Sequence, residues 1–383
     1  MSTEAKPGAE SPSVRAARKD DHVQLASEQR ASTPARRDFD DVEFLHHALG
    51  GIDAARIDLS VLIDEWRWPT PFYVNGMTGG TEQTGVINRE LAIAARETGM
   101  PMACGSVSIA LDAPGDATVQ RSFAVIREEN PDGFVMANLG VGRPAADAVR
   151  AVELLGADAL QVHLNAVQET VMPEGGRDFS NWERSLEELI AASPVPVVVK
   201  EVGFGLSRRT LERIGELGGR VADVSGNGGT DFLRIENARR TDVQGDYSML
   251  SGFGQSALEC LLDAPTDGPA LLASGGVRGP FDVVKALAAG AKAVGVAGTF
   301  LETVRSGGAQ ALVPLVHVWL DQTRAILALL GAESPAALAS TDMLVRGRLA
   351  EYCLLRGIDA QALARRSSTP AHHPNAETRS QTP

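Results

Sequence analysis

The stretch "LLASGGVRGPFDVVKALAAGAKAVGVAG", residues 271–298, contains one complete unit of a parallel β/α fold. Its two ends, 271–276 and 293–298, are short apolar runs that predict buried strands. Between them, residues 281–291 have apolar side chains at helical spacing behind a proline, which predicts a crossover helix. The glycines of "SGGVRG" leave the backbone bare where the strand meets the helix, and such a junction is typical of anion binding.

The same alternation of short apolar runs and amphipathic segments extends from Pro71 to Leu301. Strands are predicted at residues 71–77, 101–106, 134–140, 159–164, 194–202, 221–226, 271–276 and 293–298. Eight β/α units predict an α/β fold of the (β/α)8 or TIM-barrel type, in which functional groups gather at the carboxyl ends of the strands. An open, doubly wound sheet is the alternative.

Polar residues at the ends of the predicted strands disfavour the open sheet, as does the count of eight. These residues are Thr78, Ser106, Asn138, His163, Lys200, Ser225 and Ser274. We predict a single domain over residues 14–366, in which 14–70 form a polar N-terminal arm and 305–366 a closing helix and a helical C-terminal extension. Residues 1–13 and 367–383 are rich in Ser, Pro, Ala and charge, and we expect both tails to be disordered.

The bulk composition indicates a globular protein with small-molecule partners. Hydrophobic residues make up 44% of the chain and charged residues 22%. The net charge of −13 gives no general attraction for nucleic acid or an anionic membrane, so a phosphate must be held by local groups. No signal peptide or continuous apolar span is evident, and the three separated cysteines suit a reducing compartment. We therefore expect a cytoplasmic protein.

Glycine-rich turns follow the last three predicted strands. They read "SGNGGTD" (225–231), "SGGVRG" (274–279) and "AGTF" (297–300). In α/β barrels, the loops after the seventh and eighth strands commonly form a phosphate site. Simple tight turns would explain one such cluster, whereas three on neighbouring strands favour a bound phosphate.

Lys200 ends the run "PVPVVVK" and would enter the barrel mouth. A buried ammonium group is costly without an anionic partner, and a solvent-exposed lysine is the alternative interpretation. A flavin provides such a partner because its ring edge becomes negative on reduction. Thr78, Ser106 and Asn138 end other strands with small hydrogen-bonding groups that suit a flat heterocycle.

The segment "QVHLNAVQETVMPEG", residues 161–175, has the richest set of chemical groups in the chain. His163, Asn165, Gln168 and Glu169 lie at the end of the fourth strand and in its loop. One carboxylate beside amides and an imidazole fits neither a zinc site nor a catalytic triad. It suits Mg²⁺, which takes one or two carboxylates and completes its shell with water and substrate phosphate oxygens. A polar loop that caps a helix is the alternative.

In chain order, these motifs resemble the FMN-dependent type 2 isopentenyl-diphosphate isomerases. Matching runs include "RKDDHVQLASEQ", "FYVNGMTGGT", "QVHLNAVQETVMPEG", "SGNGGTDFLRIENARR" and "RGRLAEYCLLRG". The resemblance covers about residues 15 to 357. Alone, the charged cluster "RKDDH" (18–22) would be taken for a solvated face.

The resemblance implies an FMN site and a substrate site in one barrel mouth. FMN contacts are implied for Gly76, Met77, Thr78, Ser106, Asn138, Lys200, Ser225, Thr230, Gly276, Val277, Arg278, Ala297 and Gly298. Substrate contacts are implied for Arg18 and Lys19 at the diphosphate, and for His163, Asn165 and Gln168 in the pocket. Glu169 would hold Mg²⁺, Gln168 would orient the reacting end of the substrate, and Lys200 would stabilise the reduced flavin.

The implied reaction interconverts isopentenyl and dimethylallyl diphosphate by a 1,3-allylic proton shift, in isoprenoid biosynthesis. Protonating an unactivated alkene is beyond an ordinary histidine or carboxylate, so reduced FMN is expected to act as the acid–base cofactor, with NADPH as reductant. One alternative is an FMN-dependent oxidoreductase of the 2-hydroxy-acid-oxidising kind, which needs a histidine where this chain has the asparagine of "GNGGTD". A non-catalytic FMN-binding barrel is the other.

Two positions depart from the commonest pattern of the family. Ser108 in "GSVS" stands where many members have an arginine, which leaves the grip on the diphosphate open on that side. Gly76 stands where alanine is usual, a change that we expect to be harmless. The resemblance also implies a homo-oligomer, either a tetramer or an octamer.

Overall fold

In a computed structural model, residues 12–32, 38–240 and 245–368 are described. The strands are β1 (Val42–Phe44), β2 (Val61–Ile63), β3 (Trp66–Trp68), β4 (Phe72–Val74), β5 (Met102–Ala103), β6 (Val135–Gly140), β7 (Ala159–His163), β8 (Val197–Lys200), β9 (Val221–Asp223), β10 (Ala270–Ser274), β11 (Ala293–Val296) and β12 (Met343–Val345). The helices are α1 (Pro12–Ser32), α2 (Glu82–Thr98), α3 (Ser108–Asp112), α4 (Ala117–Glu129), α5 (Ala146–Leu155), α6 (Ala166–Val171), α7 (Trp182–Ala192), α8 (Arg208–Glu216), α9 (Phe232–Arg239), α10 (Ala257–Leu262), α11 (Pro280–Ala288), α12 (Gly298–Leu329), α13 (Gly347–Arg356) and α14 (Ala360–Leu363).

Strands β4 to β11 form a closed barrel in chain order, and every neighbouring pair is parallel. The pairing of β11 with β4, where Val294 faces Phe72, closes the ring. The predicted TIM barrel is therefore confirmed, and its eight strands are the eight that were predicted. The fifth of them begins at Val197 rather than at residue 194 because Pro194 and Pro196 have no N–H group for the ladder.

Most of the two predicted tails, residues 1–11 and 369–383, lies outside the described residues. Residues 12 and 13 belong to the backbone of α1, and residues 367 and 368 to a short 3-10 turn. The predicted N-terminal arm and C-terminal extension meet in the structure, because β1 pairs antiparallel with β12.

Helix α2 illustrates how local sequence positions the outer layer. Thr81 caps the amino end by accepting a hydrogen bond from the N–H of Thr84, and Gly99 ends the helix with a left-handed φ of 71°. The face of α2 that includes Ile87 and Leu91 is buried against the barrel. Capping and amphipathicity thus agree with the crossover that the barrel requires.

The amino end of the barrel is closed by the β2–β3 hairpin, which the polar-arm prediction did not anticipate. Trp68 is buried, stacks on Trp66 and makes edge contacts with Phe134 and Tyr73 at 5.3 Å between ring centroids. Tyr73 belongs to the inner barrel layer together with residues such as Met136. An aromatic plug therefore fills this end of the barrel.

Helix α12 is long and apolar enough to cross a membrane by length and composition, which among the described residues holds for this helix alone. Gly307 and Gly308 have non-helical backbone angles and divide it into two segments. Trp319 in the second segment is buried and packs against Phe72 of β4 and against Phe300 in the first segment. Of the residues in its most apolar window, 28% are buried, so burial accounts for only part of this composition.

Helix α1 lies across the carboxyl end of the barrel. Asp20 accepts a hydrogen bond from the hydroxyl of Thr81, at the start of α2, at 2.8 Å. Gln29 exchanges two hydrogen bonds with the main chain of Asp231, at the start of α9. The side of α1 that includes Val23 faces the barrel mouth. This helix therefore roofs the end at which the predicted functional groups gather.

Candidate active site

A cavity of about 730 Å³ opens at the carboxyl ends of the barrel strands, beneath α1. This volume is within the range of small-molecule sites. The predicted residues that line it are Arg18, Lys19, Gly76, Met77, Ser106, Asn138, His163, Asn165, Gln168, Glu169, Lys200, Ser225, Thr230, Gly276, Val277, Ala297 and Gly298. Residues from all eight strand ends and from the N-terminal helix therefore meet in one place.

Two predicted residues, Thr78 and Arg278, do not line the cavity. The guanidinium of Arg278 donates to Asp282 at 2.8 Å and to Asp40 at 2.6 Å. The main-chain N–H of Arg278 also donates to Asp282. The side chain is thus held away from the glycine turn that precedes it. Thr78 is buried next to the lining residue Met77, and its hydroxyl has no hydrogen-bond partner in the described part of the chain.

The glycine turns after β9 and β10 pack backbone against backbone. Gly275 has a φ of 98°, and a Cβ at this position would collide with the carbonyl of Gly226. A Cβ at Gly229 would lie 2.8 Å from the main-chain nitrogen of Gly276. Only glycine permits these approaches, which leave bare main chain along one wall of the cavity. Such a cradle fits the phosphate of a nucleotide.

Lys200 enters the cavity from the end of β8, where its side chain is buried. Its Nζ donates to the main-chain oxygen of Glu201 at 2.6 Å, and no carboxylate forms an ion pair with it among the residues that the structure describes. Burial lowers the pKa of Lys200, and the charges of Asp223 and Glu201 act in the opposite direction. The site can therefore accommodate a further anionic group beside this ammonium.

Asp223, at the end of β9, organises the barrel interior below Lys200. Its carboxylate is fully buried and accepts hydrogen bonds from Tyr73, Asn75 and Ser274. Burial, together with the neighbouring Asp223 charge, raises the pKa of Tyr73 well above its usual value, so the phenol stays a donor. Sequence reasoning missed this carboxylate, because its partners come from β4, from the residue that follows β4 and from β10, which are far from it in sequence.

His163 is held as a neutral imidazole at the end of β7. Its Nδ1 donates to Asn138 Oδ1 at 2.8 Å, and the amide of Asn138 in turn donates to Gln161 at 3.0 Å. Burial, and then the charges of Lys200 and Lys19, lowers the pKa of His163 to about 3. With the proton on Nδ1, the Nε2 atom is left as a hydrogen-bond acceptor.

Glu169, on α6, presents a carboxylate to the cavity. Its Oε1 accepts from Asn165 at 3.0 Å, and its Oε2 accepts from the N–H of Gly176 at 3.1 Å. Within residues 12–32, 38–240 and 245–368, no cluster of three or more His, Cys, Asp or Glu side chains could hold a metal. One carboxylate with free lone pairs fits Mg²⁺, which accepts water and phosphate oxygens as its remaining ligands.

Gln168 is oriented by a buried carboxylate that sequence reasoning missed. Its Nε2 donates to Glu236 Oε1 at 2.9 Å, and His22 Nε2 lies 3.0 Å from the same oxygen. Arg239 donates to the other oxygen. Burial favours the neutral acid, but contacts with His22, Gln168 and Arg239 outweigh it and lower the pKa of Glu236. Glu236 is therefore an anion that fixes the amide of Gln168.

The cations that α1 contributes lie beside the Glu169 loop. Arg18 forms an ion pair with Glu174 at 2.9 Å, and Arg239 forms one with the same carboxylate at 2.8 Å. Burial, with a smaller effect of the Arg18 charge, lowers the pKa of Lys19 to about 8. The cavity thus has a neutral glycine wall on one side and a charged wall on the other.

Comparison with known proteins shows the family to which the chain belongs. The family model of the FMN-dependent dehydrogenases matches residues 145–346. An isopentenyl-diphosphate delta-isomerase of Kitasatospora griseola is 53% identical over 92% of this chain and 96% of its own length. One of Nocardia farcinica is 55% identical over 91% of this chain and 96% of its own length. One of Staphylococcus saprophyticus is 42% identical over 89% of this chain and 97% of its own length.

Solved structures with the same fold are more distant in sequence. A mandelate oxidase variant with a monooxide FMN adduct has a TM-score of 0.56 at 19% identity, covering 85% of this chain and 92% of its own. A flavocytochrome b2 variant with benzoylformate has a TM-score of 0.58 at 22% identity, covering 79% and 75%. These likenesses concern the barrel alone. By its curated relatives, the chain belongs to the isopentenyl-diphosphate delta-isomerase family, and it is built on the barrel of the FMN-dependent dehydrogenases.

Proposed function

We propose that the chain interconverts isopentenyl diphosphate and dimethylallyl diphosphate by a 1,3-allylic proton shift, with FMN, Mg²⁺ and NADPH as cofactors. The observation that supports this most strongly is the two-sided cavity. Its glycine wall suits a nucleotide phosphate, and its charged wall has two cations beside a carboxylate, as a metal-bound diphosphate requires. A five-carbon tail would extend between the two walls.

The glycine turns at residues 226–229 and 275–277 would hold the FMN phosphate, and Ser106, Asn138 and Lys200 would meet the ring. When bound and reduced, FMN supplies a proton donor and acceptor for carbon atoms that ordinary side chains cannot match in pKa. The buried ammonium of Lys200 would offset negative charge at the ring edge. NADPH would be needed only to reduce the flavin before turnover.

The charged wall would bind the diphosphate. Arg18 and Lys19 supply positive charge from α1, and Glu169 would hold Mg²⁺ against the phosphate oxygens. Binding energy gained at the diphosphate would position a small apolar tail that has little else to hold it. With α1 as a roof, the site would exclude water and protect a cationic intermediate of the substrate.

Gln168, His163 and Asn165 would line the space around the tail. The Gln168 amide is fixed by Glu236 and would orient the reacting end of the substrate. His163 is neutral and would accept a hydrogen bond rather than donate a proton, because its pKa is lowered to about 3. These side chains would thus position the substrate, and none of the three would transfer the proton.

Oxidation of a 2-hydroxy acid is the competing reaction for this type of barrel, and the chain lacks the base that it requires. Such an enzyme uses a histidine in the glycine turn after the sixth strand. Asn227 stands there in this chain and lines the cavity. An amide side chain cannot accept a proton at neutral pH. This difference favours isomerisation.

We further propose that the chain assembles with copies of itself in the cytoplasm. Leu354 and Leu355 on α13 are largely exposed, and Phe281 at the start of α11 is also exposed. Exposed apolar side chains of this kind suit an interface between copies, so we infer a homo-oligomer, either a tetramer or an octamer. The unpaired, buried cysteines suit a reducing cytoplasm. Sedimentation velocity on the purified protein gives the number of copies.

The decisive test is anaerobic incubation with isopentenyl diphosphate, FMN, Mg²⁺ and catalytic NADPH in D₂O. The expected product is dimethylallyl diphosphate that carries deuterium, formed only when FMN and a reductant are both present. Equal turnover without flavin would contradict the proposal. Bound flavin without any deuterium in the substrate or product would indicate the non-catalytic barrel instead.

A further inference from the structure

Glu174 joins two arginines that come from distant parts of the chain. Arg18 on α1 donates from Nη1 to Glu174 Oε1 at 2.9 Å, and Arg239 at the end of α9 donates from Nη2 to the same oxygen at 2.8 Å. Arg18 Nη1 also lies 3.3 Å from the sulfur of Met172. The Glu174 and Arg18 side chains are about one-sixth exposed, so solvent screens this contact only in part.

The loop that carries Glu174 also holds Glu169, the residue that would bind Mg²⁺. A Cβ at Gly175 would collide with the carbonyl oxygen of Glu169, so the loop approaches α6 this closely only because glycine follows Glu174. Gly176 donates its N–H to Glu169 Oε2 at 3.1 Å. One short segment, residues 172–176, therefore fixes both Arg18 and the Glu169 carboxylate.

The charges around Glu174 explain why Arg18 needs this partner. Arg239 is already paired with Glu236, and Lys19 adds a second positive charge next to Arg18. Removing the Glu174 charge would leave the positive charges of Arg239 and Lys19 repelling Arg18 and would weaken the hydrogen bond that its guanidinium donates to this side chain. Two arginine contacts lower the pKa of Glu174 to about 2 against the effect of burial, so it is an anion at neutral pH.

We propose that Glu174 is a positioning residue for substrate recognition, which holds the Arg18 guanidinium beside Glu169 where the diphosphate of the substrate binds. This inference rests on the proposed function, because it assumes that Arg18 meets a diphosphate. As an anion, Glu174 would not bind the negatively charged diphosphate itself. It would act through Arg18, and Arg239 donates to the same carboxylate oxygen.

The test is a double-mutant cycle on the full-length holoenzyme. Glu174→Gln keeps the shape of the side chain and removes its charge. We expect the KM for isopentenyl diphosphate to rise about tenfold, the size expected for a lost bond between charged groups, while kcat changes less than about twofold. Calorimetry with inorganic diphosphate and Mg²⁺ should give the same loss of affinity without any turnover. FMN affinity should stay unchanged.

The second side of the cycle identifies the partner. In an Arg18→Gln background, adding Glu174→Gln should cost no further affinity for diphosphate. Glu174→Asp, which keeps the charge, should restore part of the affinity. Glu183→Gln is the matched control, since it removes an exposed pair with Arg213 that lies outside the cavity, and it should change none of these values.

Three results would overturn the inference: an unchanged KM in Glu174→Gln, an equal loss in both backgrounds, or a loss of FMN binding that matches the loss of diphosphate binding. The last two would assign Glu174 to loop folding. If the wild-type protein binds diphosphate and follows the cycle but forms no dimethylallyl diphosphate, the positioning role stands and the proposed function fails.

Discussion

The two ends of the barrel are built from the same eight strands and have opposite chemistry. At the amino end, Trp66, Trp68 and Phe134 form an aromatic plug. At the carboxyl end, a buried lysine and a neutral histidine line an open cavity. Tyr73 marks the boundary, because its ring packs on Trp68 while its hydroxyl donates to Asp223 at 2.8 Å. The residues that stabilise the barrel thus lie at its amino end, and the residues that can bind ligands lie at its carboxyl end.

Substitution at the plug should have the largest effect, and that effect should fall on stability. Trp68→Ala removes a buried indole and should lower the free energy of unfolding by about 4 kcal/mol. FMN affinity of the folded protein should be unchanged, because the plug and the cavity lie at opposite ends. Urea denaturation and a flavin titration measure the two quantities. A change in stability below about 1 kcal/mol, or a parallel loss of FMN, would contradict the division.

Substitution at the mouth should instead affect turnover. Gln168→Ala removes the amide that Glu236 orients and should lower kcat about a hundredfold, or about 2.7 kcal/mol in activation free energy. FMN and diphosphate affinities should stay close to those of the wild type. Steady-state kinetics and calorimetry check both expectations. A wild-type kcat would remove Gln168 from the mechanism.

The metal ligand should have a somewhat smaller effect, which depends on the magnesium concentration. Glu169→Gln keeps the size of the side chain but loses the charge that would hold Mg²⁺ and one of the two oxygens that accept from Asn165 and Gly176, so turnover at limiting Mg²⁺ should fall about thirtyfold, or about 2 kcal/mol. Bound FMN should stay in place. A magnesium titration of activity tests this, and superimposable curves for the variant and the wild type would exclude Glu169 as the ligand.

The smallest effect is expected from pH at Lys19. Its pKa is lowered to about 8, so the ammonium is charged at pH 7 and largely neutral at pH 9. Loss of one cation should raise the KM for the diphosphate substrate about fivefold over this interval. Lys19→Arg keeps its charge throughout and should remove the rise. An identical pH profile in both proteins would assign the titration to another group, such as the substrate itself.

The parts of the fold that follow a local pattern could be predicted from the sequence. Lys200 was expected at the barrel mouth because an apolar run of strand length precedes it, and the structure confirms that strand. The β2–β3 plug was missed because each strand has three residues, too few for a period to be recognised. Its burial depends on contacts with Phe134 and Tyr73, which are far away in sequence.

The same distinction applies to the candidate site. Residues such as Glu169 could be predicted because they belong to a local sequence motif. Glu236, in contrast, contacts Gln168 across 68 positions of the chain. Long-range pairs of this kind leave no local signal. Arg278 is the converse case, since its place in a glycine turn predicted a phosphate contact and two carboxylates hold its side chain elsewhere. One of them, Asp282, lies four residues further on in the first turn of α11, where it also accepts from the main-chain N–H of Arg278.

In the proposed reaction, the barrel mouth moves a proton and consumes no reducing equivalents. The most direct measurement is the number of dimethylallyl diphosphate molecules formed per NADPH oxidised, under anaerobic conditions with FMN and Mg²⁺. We predict many product molecules for each NADPH, because the reductant serves only before the first turnover. One NADPH oxidised for each product would contradict the account.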